Sequence, residues 1–331
     1  MDTMYNALQI TELNGNFIKE IKRLPVEELP DNDVLVKVNY SSVNYKDALS
    51  ASGNKGVTRK FPHVPGIDAA GIVIKSKIPE LAEGDKVIVT GFDLGMNTWG
   101  GFGEYINVPA SWVMHLPGSL SLQEAMIFGT AGLTAGLSVN QIVNAGILPQ
   151  KGPIAVSGAT GGVGSIAVAI LNQLGYSVTA ISGKNDDKYL CEILGARQII
   201  GRDEFTETYN NKAMATPAFA AGIDTVGGSI LSGMLKATQY GGTVTCCGMV
   251  SSADLDTSIF PFILRGITLA GIDSVMAPMP LRKQIWQQLS TGWKPNNLES
   301  LMQEIRLADL PEKLDELLKG QAKGRYVLVH G

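Results

Sequence analysis

Ile154-Ala155-Val156-Ser157-Gly158-Ala159-Thr160-Gly161-Gly162-Val163-Gly164 reads as a short buried strand, a glycine-rich turn and the opening of a helix. Helical periodicity continues from Val163 to Leu174, and Gly175 then offers a stop. Glycine serves such a turn in three ways. It allows a tight bend, it lets a pyrophosphate approach the backbone with no Cβ in the way, and it lets the helix pack close to the strand. The helix that follows offers unpaired N–H groups and the positive end of its dipole to an anion. The spacing departs from the common G-x-G-x-x-G, because Gly158, Gly161 and Gly164 recur at every third position. With strand, loop and helix in register, Gly158, Thr160, Gly161, Gly162, Val163 and Gly164 point to a dinucleotide cradle. The competing reading is a glycine-rich structural turn.

Downstream, strands and helices alternate. Tyr176-Ser177-Val178-Thr179-Ala180-Ile181 reads as a strand, Lys188 to Leu194 as a helix closed by Gly195, and Gln198-Ile199-Ile200 as a third strand. Strands at 221–226, 242–246 and 267–272 complete the series. Such alternation implies a doubly wound parallel sheet, the Rossmann arrangement of an α/β protein. The 2′ position of a bound dinucleotide is read at the end of the second strand, roughly 20 residues past the glycines. An acid there suits a free ribose hydroxyl and repels a phosphate. This chain has Ser182-Gly183-Lys184, and Arg202 follows the third strand. A hydroxyl and two cations favour NADPH; the competing reading leaves Lys184 and Arg202 as solvated surface charges.

Upstream, residues 1–120 read as short strands punctuated by glycine and proline, as in a partly open barrel. Val34-Leu35-Val36-Lys37-Val38 is the clearest. Ser121 with Glu124 resembles a capped helix start, and a helix-prone stretch runs on toward Val143. Helix patterns at 281–289 and 311–319 precede a terminal strand, Arg325-Tyr326-Val327-Leu328-Val329, which is placed to return to the first domain. The 331 residues exceed what one core usually supports, so two domains are expected. A net charge of -4 gives no basic footprint for nucleic acid. No stretch reads as a membrane span or an export signal, and the three cysteines, Cys191, Cys246 and Cys247, read as free thiols. These features suggest a cytoplasmic protein.

Several stretches together resemble the medium-chain dehydrogenase/reductase superfamily over essentially the whole chain. They are Asn44-Tyr45-Lys46-Asp47, Pro65-Gly66-Ile67-Asp68-Ala69-Ala70-Gly71, Trp99-Gly100-Gly101-Phe102-Gly103-Glu104-Tyr105, Gly129-Thr130-Ala131-Gly132 and the glycine loop. Asn44-Tyr45-Lys46-Asp47, Arg202-Asp203-Glu204-Phe205, Pro261-Phe262-Ile263-Leu264-Arg265 and Gly271-Ile272-Asp273-Ser274-Val275 resemble, more narrowly, the zinc-free quinone oxidoreductase-like subgroup that contains acrylyl-CoA reductase. The resemblance implies a GroES-like (chaperonin-10-like) β-rich catalytic domain, discontinuous over residues 1–124 and 275–331, and a Rossmann domain over 125–274. It also implies NADPH as cofactor and a homodimer joined through the last Rossmann strand.

Zinc-dependent relatives carry a Cys ligand in the loop held here by Asn44-Tyr45-Lys46-Asp47, and His-Glu where this chain has Ile67-Asp68. No metal is therefore expected, and His63, His115 and His330 read as ordinary polar side chains. The implied reaction is reduction of a double bond conjugated to a carbonyl, with an enoyl-CoA as the small-molecule substrate. Tyr45 is the candidate proton donor, since a phenolic hydroxyl donates, or it stacks on the nicotinamide. Asn44 is a candidate partner of the substrate carbonyl or the cofactor ribose, and Asp68 a candidate to orient Tyr45 or Lys46. Thr130, Met249, Ile263 and Arg325 are implied to line the cofactor site. Lys55, Arg59 and Lys60 are candidate partners for CoA phosphates. Two alternatives stay open: a quinone reductase with the same cofactor, and an NADPH-binding sensor without turnover.

Overall fold

A computed structural model of the chain describes residues 3–184 and 186–331. It forms two units. One runs up to Thr130 and resumes at Met302–Gly331; the other is Ala131–Leu301. Both boundaries fall later than the 124/125 and 274/275 read from the sequence. Packing explains the second shift. Helix Met279–Leu289 buries Ile285, Trp286 and Leu289, and Gly136 of helix Leu122–Asn144 lies so close that a Cβ on it would stand 2.6 Å from Ile285 Cγ2. The segment 275–301 thus stays with the second unit.

The first unit opens with a hairpin, Met4–Leu13 against Asn16–Pro25, which the sequence reading passed over. Its turn residues, Asn14 and Gly15, hold φ +51° and +80°. Asn-Gly between two strands is the strongest local signal for such a turn. The main sheet follows the order Met302–Ile305, Arg325–Val329, Val34–Val43, Asp68–Ser76, Lys86–Thr90, Val113–His115. Strand Val34–Val43 is its spine. One edge pairs with Asp68–Ser76; the other is shared, with Tyr105–Val108 along its first half and Arg325–Val329 along its second. Val34, Val36 and Val38 are buried while Lys37 is exposed, the alternation of a one-sided strand. Each fully buried valine contributes about 1.5–3 kcal/mol. The terminal strand therefore returns to the first unit and sets Arg325 beside Val43.

The second unit holds six parallel strands in the order Gln198–Gly201, Val178–Ser182, Ile154–Ser157, Phe219–Asp224, Thr238–Cys246, Thr268–Gly271. In chain order this is 3-2-1-4-5-6, the doubly wound pattern, whose order reverses between Ile154–Ser157 and Phe219–Asp224. Helix Gly162–Gln173 buries every residue from Gly164 to Leu171. The expected helix at 188–194 is instead a π-helical turn, Lys188–Ile193, ending before Gly195 at φ +81°.

One expectation needs correction. Leu122–Asn144, at 23 residues, is long and apolar enough to cross a membrane, contrary to the sequence reading. However, 83% of its apolar window is buried inside the protein, and the helix is broken at Gly129 (φ +51°, ψ −152°). It is the core helix of the fold.

Candidate active site

The glycine loop leaves strand Ile154–Ser157 at the point where the strand order reverses. Gly158 holds φ +58°, and a Cβ there would overlap Thr225 Oγ1. A Cβ on Gly164 would overlap Gly158 O, and one on Gly161 would stand 3.2 Å from the same oxygen. Gly161 and Gly164 thus close over the Gly158 carbonyl, Gly164 more tightly than a side chain permits. Thr160, between them, is buried. Helix Gly162–Gln173 begins without a side-chain cap. The N–H groups of Gly162, Val163 and Gly164 have no acceptor within the helix and face outward from its first turn. This cradle, which a Cβ would fill, fits a pyrophosphate.

At the end of the second strand, Ser182 Oγ accepts the Lys184 N–H (3.0 Å) and donates to the Lys184 carbonyl (3.1 Å), so that hydroxyl shapes the turn. Gly201 pairs with Ser182 across the parallel ladder. That register brings Arg202 onto Gly183, where a Cβ would stand 2.8 Å from Arg202 Nη2. Lys184 and the exposed Arg202 therefore lie at one strand end, as a 2′-phosphate requires.

In the first unit, Asp68 is wholly buried at the start of its strand. Its Oδ2 accepts from Ser42 Oγ (2.5 Å), Asn44 Nδ2 (2.8 Å) and the Thr130 N–H (2.9 Å), and its Oδ1 from Thr130 Oγ1 (2.5 Å). The expected contact from Asp68 to Tyr45 or Lys46 is not formed, because these donors take up the carboxylate. The Gly129 break makes this possible: it turns Thr130 toward Asp68, and a Cβ on Gly129 would overlap Ser42 Oγ and stand 2.6 Å from Asp68 Oδ2.

Asn44 ends strand Val34–Val43 and starts helix Tyr45–Ala51. Its Nδ2 also reaches the Ser42 carbonyl (3.4 Å), and its Oδ1 accepts from Arg325 Nη2 (3.2 Å). A donor on one side and an acceptor on the other fix the amide's orientation. Both its N–H bonds point at protein acceptors, so it is not placed to donate to a substrate carbonyl. Arg325, expected at the cofactor, is buried, donating also to Ile127 O (3.1 Å) and Val43 O (3.3 Å). It supports Asn44 from within the protein.

Asp47 is also buried. It accepts the backbone N–H groups of Asn44 (2.8 Å) and Ile67 (2.9 Å), which ties the Asn44 loop to the Pro65-Gly66 turn. Burial, reinforced by the Asp68 carboxylate, pushes Asp47 up to about 7. Tyr45 stands out from this network: it is 39% exposed.

The remaining candidates separate. Met249 and Ile263 are exposed on the second unit, and the Met249 backbone packs on Gly227. Burial pushes Cys247 up to about 12 and Cys246 upward, which suits packing rather than nucleophilic chemistry. Lys55 is engaged by Glu12 (2.6 Å) and the rings of Phe17 and Phe61, while Arg59 and Lys60 stay exposed. His63 and His330 are buried against the carbonyls of Gly95 and Gly101. Ser42, Ser157 and Asp224 were missed by the sequence reading; single hydroxyls and acids carry no local pattern.

Comparison with known proteins places these features. Residues 30–118 match the alcohol dehydrogenase GroES-like domain and residues 162–290 the zinc-binding dehydrogenase family. The metal in that second description does not fit this chain. Among the described residues no three His, Cys, Asp or Glu side chains converge, and Asp68 already accepts four hydrogen bonds from the scaffold. The Bacillus subtilis protein YhfP, named as a quinone oxidoreductase, is 40% identical over 329 residues, 99% of each chain. Its structure with NAD bound has a TM-score of 0.95 and covers 99% of this chain and 100% of that one. Acrylyl-CoA reductase AcuI of Ruegeria pomeroyi is 41% identical over 327 residues, 98% of this chain and 99% of its own. The yhdH oxidoreductase of Salmonella enterica in complex with NADP is 40% identical, with a TM-score of 0.95 and coverage of 98% and 100%. With its GroES-like unit, its 3-2-1-4-5-6 sheet and relatives of this identity along nearly its full length, the chain belongs to the medium-chain dehydrogenase/reductase superfamily, in the group of YhfP and AcuI.

Proposed function

We propose that the protein is an NADPH-dependent, zinc-independent reductase of an activated carbon–carbon double bond, acting on a small enoyl thioester such as acryloyl-CoA to give propionyl-CoA. The observation that carries this reading is the set of four scaffold hydrogen bonds that Asp68 accepts. Alcohol oxidation needs a free base or a metal to take up the hydroxyl proton. Here both buried carboxylates of the first unit, Asp47 and Asp68, are engaged by hydrogen bonds of the scaffold. What the first unit presents is a donor, the phenol of Tyr45, a residue 39% exposed. Reduction of a conjugated double bond asks for that: hydride on the β-carbon and a proton on the α-carbon.

When bound, the cofactor supplies the hydride. Gly158, Gly161 and Gly164 would hold its pyrophosphate, and Lys184 and Arg202 its 2′-phosphate. Asn44, oriented by Arg325 and Asp68, would accept a ribose hydroxyl. Thr130, fixed at the helix break, would border the nicotinamide. Tyr45 delivers the proton to the α-carbon, directly or through one water.

A homodimer is part of this proposal. Strand Thr268–Gly271 stands at the edge of its sheet, with unpaired backbone groups on its outer side, and Leu264 and Met276 nearby in sequence are 61% and 66% exposed. A cytoplasmic setting would keep Cys191, Cys246 and Cys247 as the free thiols they are.

The name of YhfP favours a second reading, quinone reduction. Steady-state NADPH oxidation with acryloyl-CoA beside 1,4-benzoquinone, at matched concentrations, separates the two. A much larger kcat/KM for acryloyl-CoA is expected. Turnover of quinone alone rejects the thioester assignment, and tight NADPH binding with no turnover of either acceptor marks a sensor instead.

A further inference from the structure

We propose that Asp224 is a positioning residue for the glycine loop, acting through Ser157 to hold Gly158 in the conformation that receives the pyrophosphate. The inference rests on the dinucleotide reading of that loop and adds to it a residue outside the loop. Asp224 ends the strand next to Ile154–Ser157 and is wholly buried. Its Oδ1 accepts from Ser157 Oγ (2.7 Å), and its Oδ2 accepts the Gly227 N–H (2.8 Å). Ser157 Oγ in turn accepts the Thr225 N–H (2.8 Å), while Thr225 Oγ1 donates to the Ser157 carbonyl (2.9 Å).

These bonds form a closed ring between the last residue before Gly158 and the turn after Asp224. The ring spans the two strands where the sheet order reverses, which is where ligands of such sheets bind. It also leaves no slack. Gly158 sits against Thr225 so closely that a Cβ would overlap its hydroxyl, and a Cβ on Gly248 would overlap the Thr225 carbonyl. A shift of Asp224 or Ser157 must therefore move Gly158. Gly161 N–H bonds to the Gly158 carbonyl (2.9 Å), and Gly164 closes over the same oxygen, so the displacement passes to the first helical turn. Burial holds the Asp224 carboxyl above the usual range, against the opposing effect of its hydrogen bonds. The group is kept in place by the bonds it accepts, and exposure to solvent plays no part.

The test compares NADPH with adenosine 2′-monophosphate, which has the 2′-phosphate but no pyrophosphate, as ligands of the full chain. Titration calorimetry would be run on wild type, Asp224→Asn and the milder Ser157→Ala. Both variants are expected to bind NADPH about tenfold more weakly, as loss of a buried hydrogen bond allows. Binding of adenosine 2′-monophosphate should be unchanged, and in turnover KM for NADPH should rise with kcat retained. Ser157→Thr, which keeps the hydroxyl, should restore affinity. Equal NADPH affinity in folded Ser157→Ala overturns the proposal, as does an equal loss for both ligands, which would mean a general structural role. Failure of the wild-type protein to bind NADPH at all removes the dinucleotide reading itself.

Discussion

Replacing Asp47 by Asn should make the first unit less stable in mild acid and more stable above neutrality. Asp47 is buried, accepts two backbone N–H groups and is pushed up to about 7 from an ordinary value near 3.8. A carboxyl whose folded value lies above its unfolded value binds a proton more tightly in the folded state. Its contribution to stability is therefore fully present below about pH 4 and is lost as the pH rises through about 7. Over roughly three units, at about 1.4 kcal/mol per unit, the loss is about 4 kcal/mol. Asparagine carries no proton to lose, so it is spared that decline. It also has one acceptor oxygen instead of two, which leaves the N–H of Asn44 or Ile67 unsatisfied at a cost of about 1–3 kcal/mol. The variant should thus be weaker by that amount at about pH 4 and stronger by a similar amount at about pH 8. For a unit of this size the swing corresponds to roughly 8–16 °C in Tm. Scanning calorimetry of both proteins at several pH values, following the transition of the first unit, gives the two curves. They should cross. Parallel curves would refute the claim that Asp47 titrates from its buried position near 7.

Three further outcomes are expected. Tyr45→Phe should lower kcat on an enoyl substrate by about 10²–10⁴-fold if the phenol is the general acid, while leaving the NADPH Kd nearly unchanged; an unaltered kcat removes Tyr45 from proton transfer. Lys184→Ala with Arg202→Ala should weaken NADPH by about ten- to a hundredfold, at about 1.5–3 kcal/mol for a lost charge-assisted bond, and leave NADH affinity alone; a matching loss of NADH would contradict a 2′-phosphate site. Gly129→Ala should destabilise the first unit by about 3 kcal/mol or more, since alanine is strained at φ +51°, ψ −152° and its Cβ would overlap Ser42 Oγ; a Tm within a degree of wild type would show that the helix break is not required.

Much of the second unit was legible because its signals are local. A strand, a glycine-rich turn and a helix in immediate succession define the loop within eleven residues, and the alternation that follows dictates a parallel sheet. Ser182 and Lys184 come at the predictable end of a strand. The N-terminal hairpin was just as legible through Asn14-Gly15, and went unread. The break at Gly129 was not legible, because apolar periodicity runs through it on both sides and a glycine inside a helix ordinarily signals only a modest loss of stability.

Sequence alone thus determined the doubly wound unit, the glycine cradle, the cations at the second strand end and, by resemblance, the superfamily. Those features depend on neighbours in the chain or on the residue types at motif positions. Tertiary structure decided what the site residues do. Asn44 and Arg325 stand 281 positions apart, Thr130 and Asp68 62 apart, and Ser157 and Asp224 67 apart. No periodicity spans such separations. The return of Arg325–Val329 to the edge of Val34–Val43 puts a buried guanidinium on Asn44. The kink at Gly129 aims Thr130 at Asp68. A carboxylate that sequence offered as a catalytic group is in this way occupied by four hydrogen bonds, because the donors that reach a buried acceptor are set by where distant segments meet.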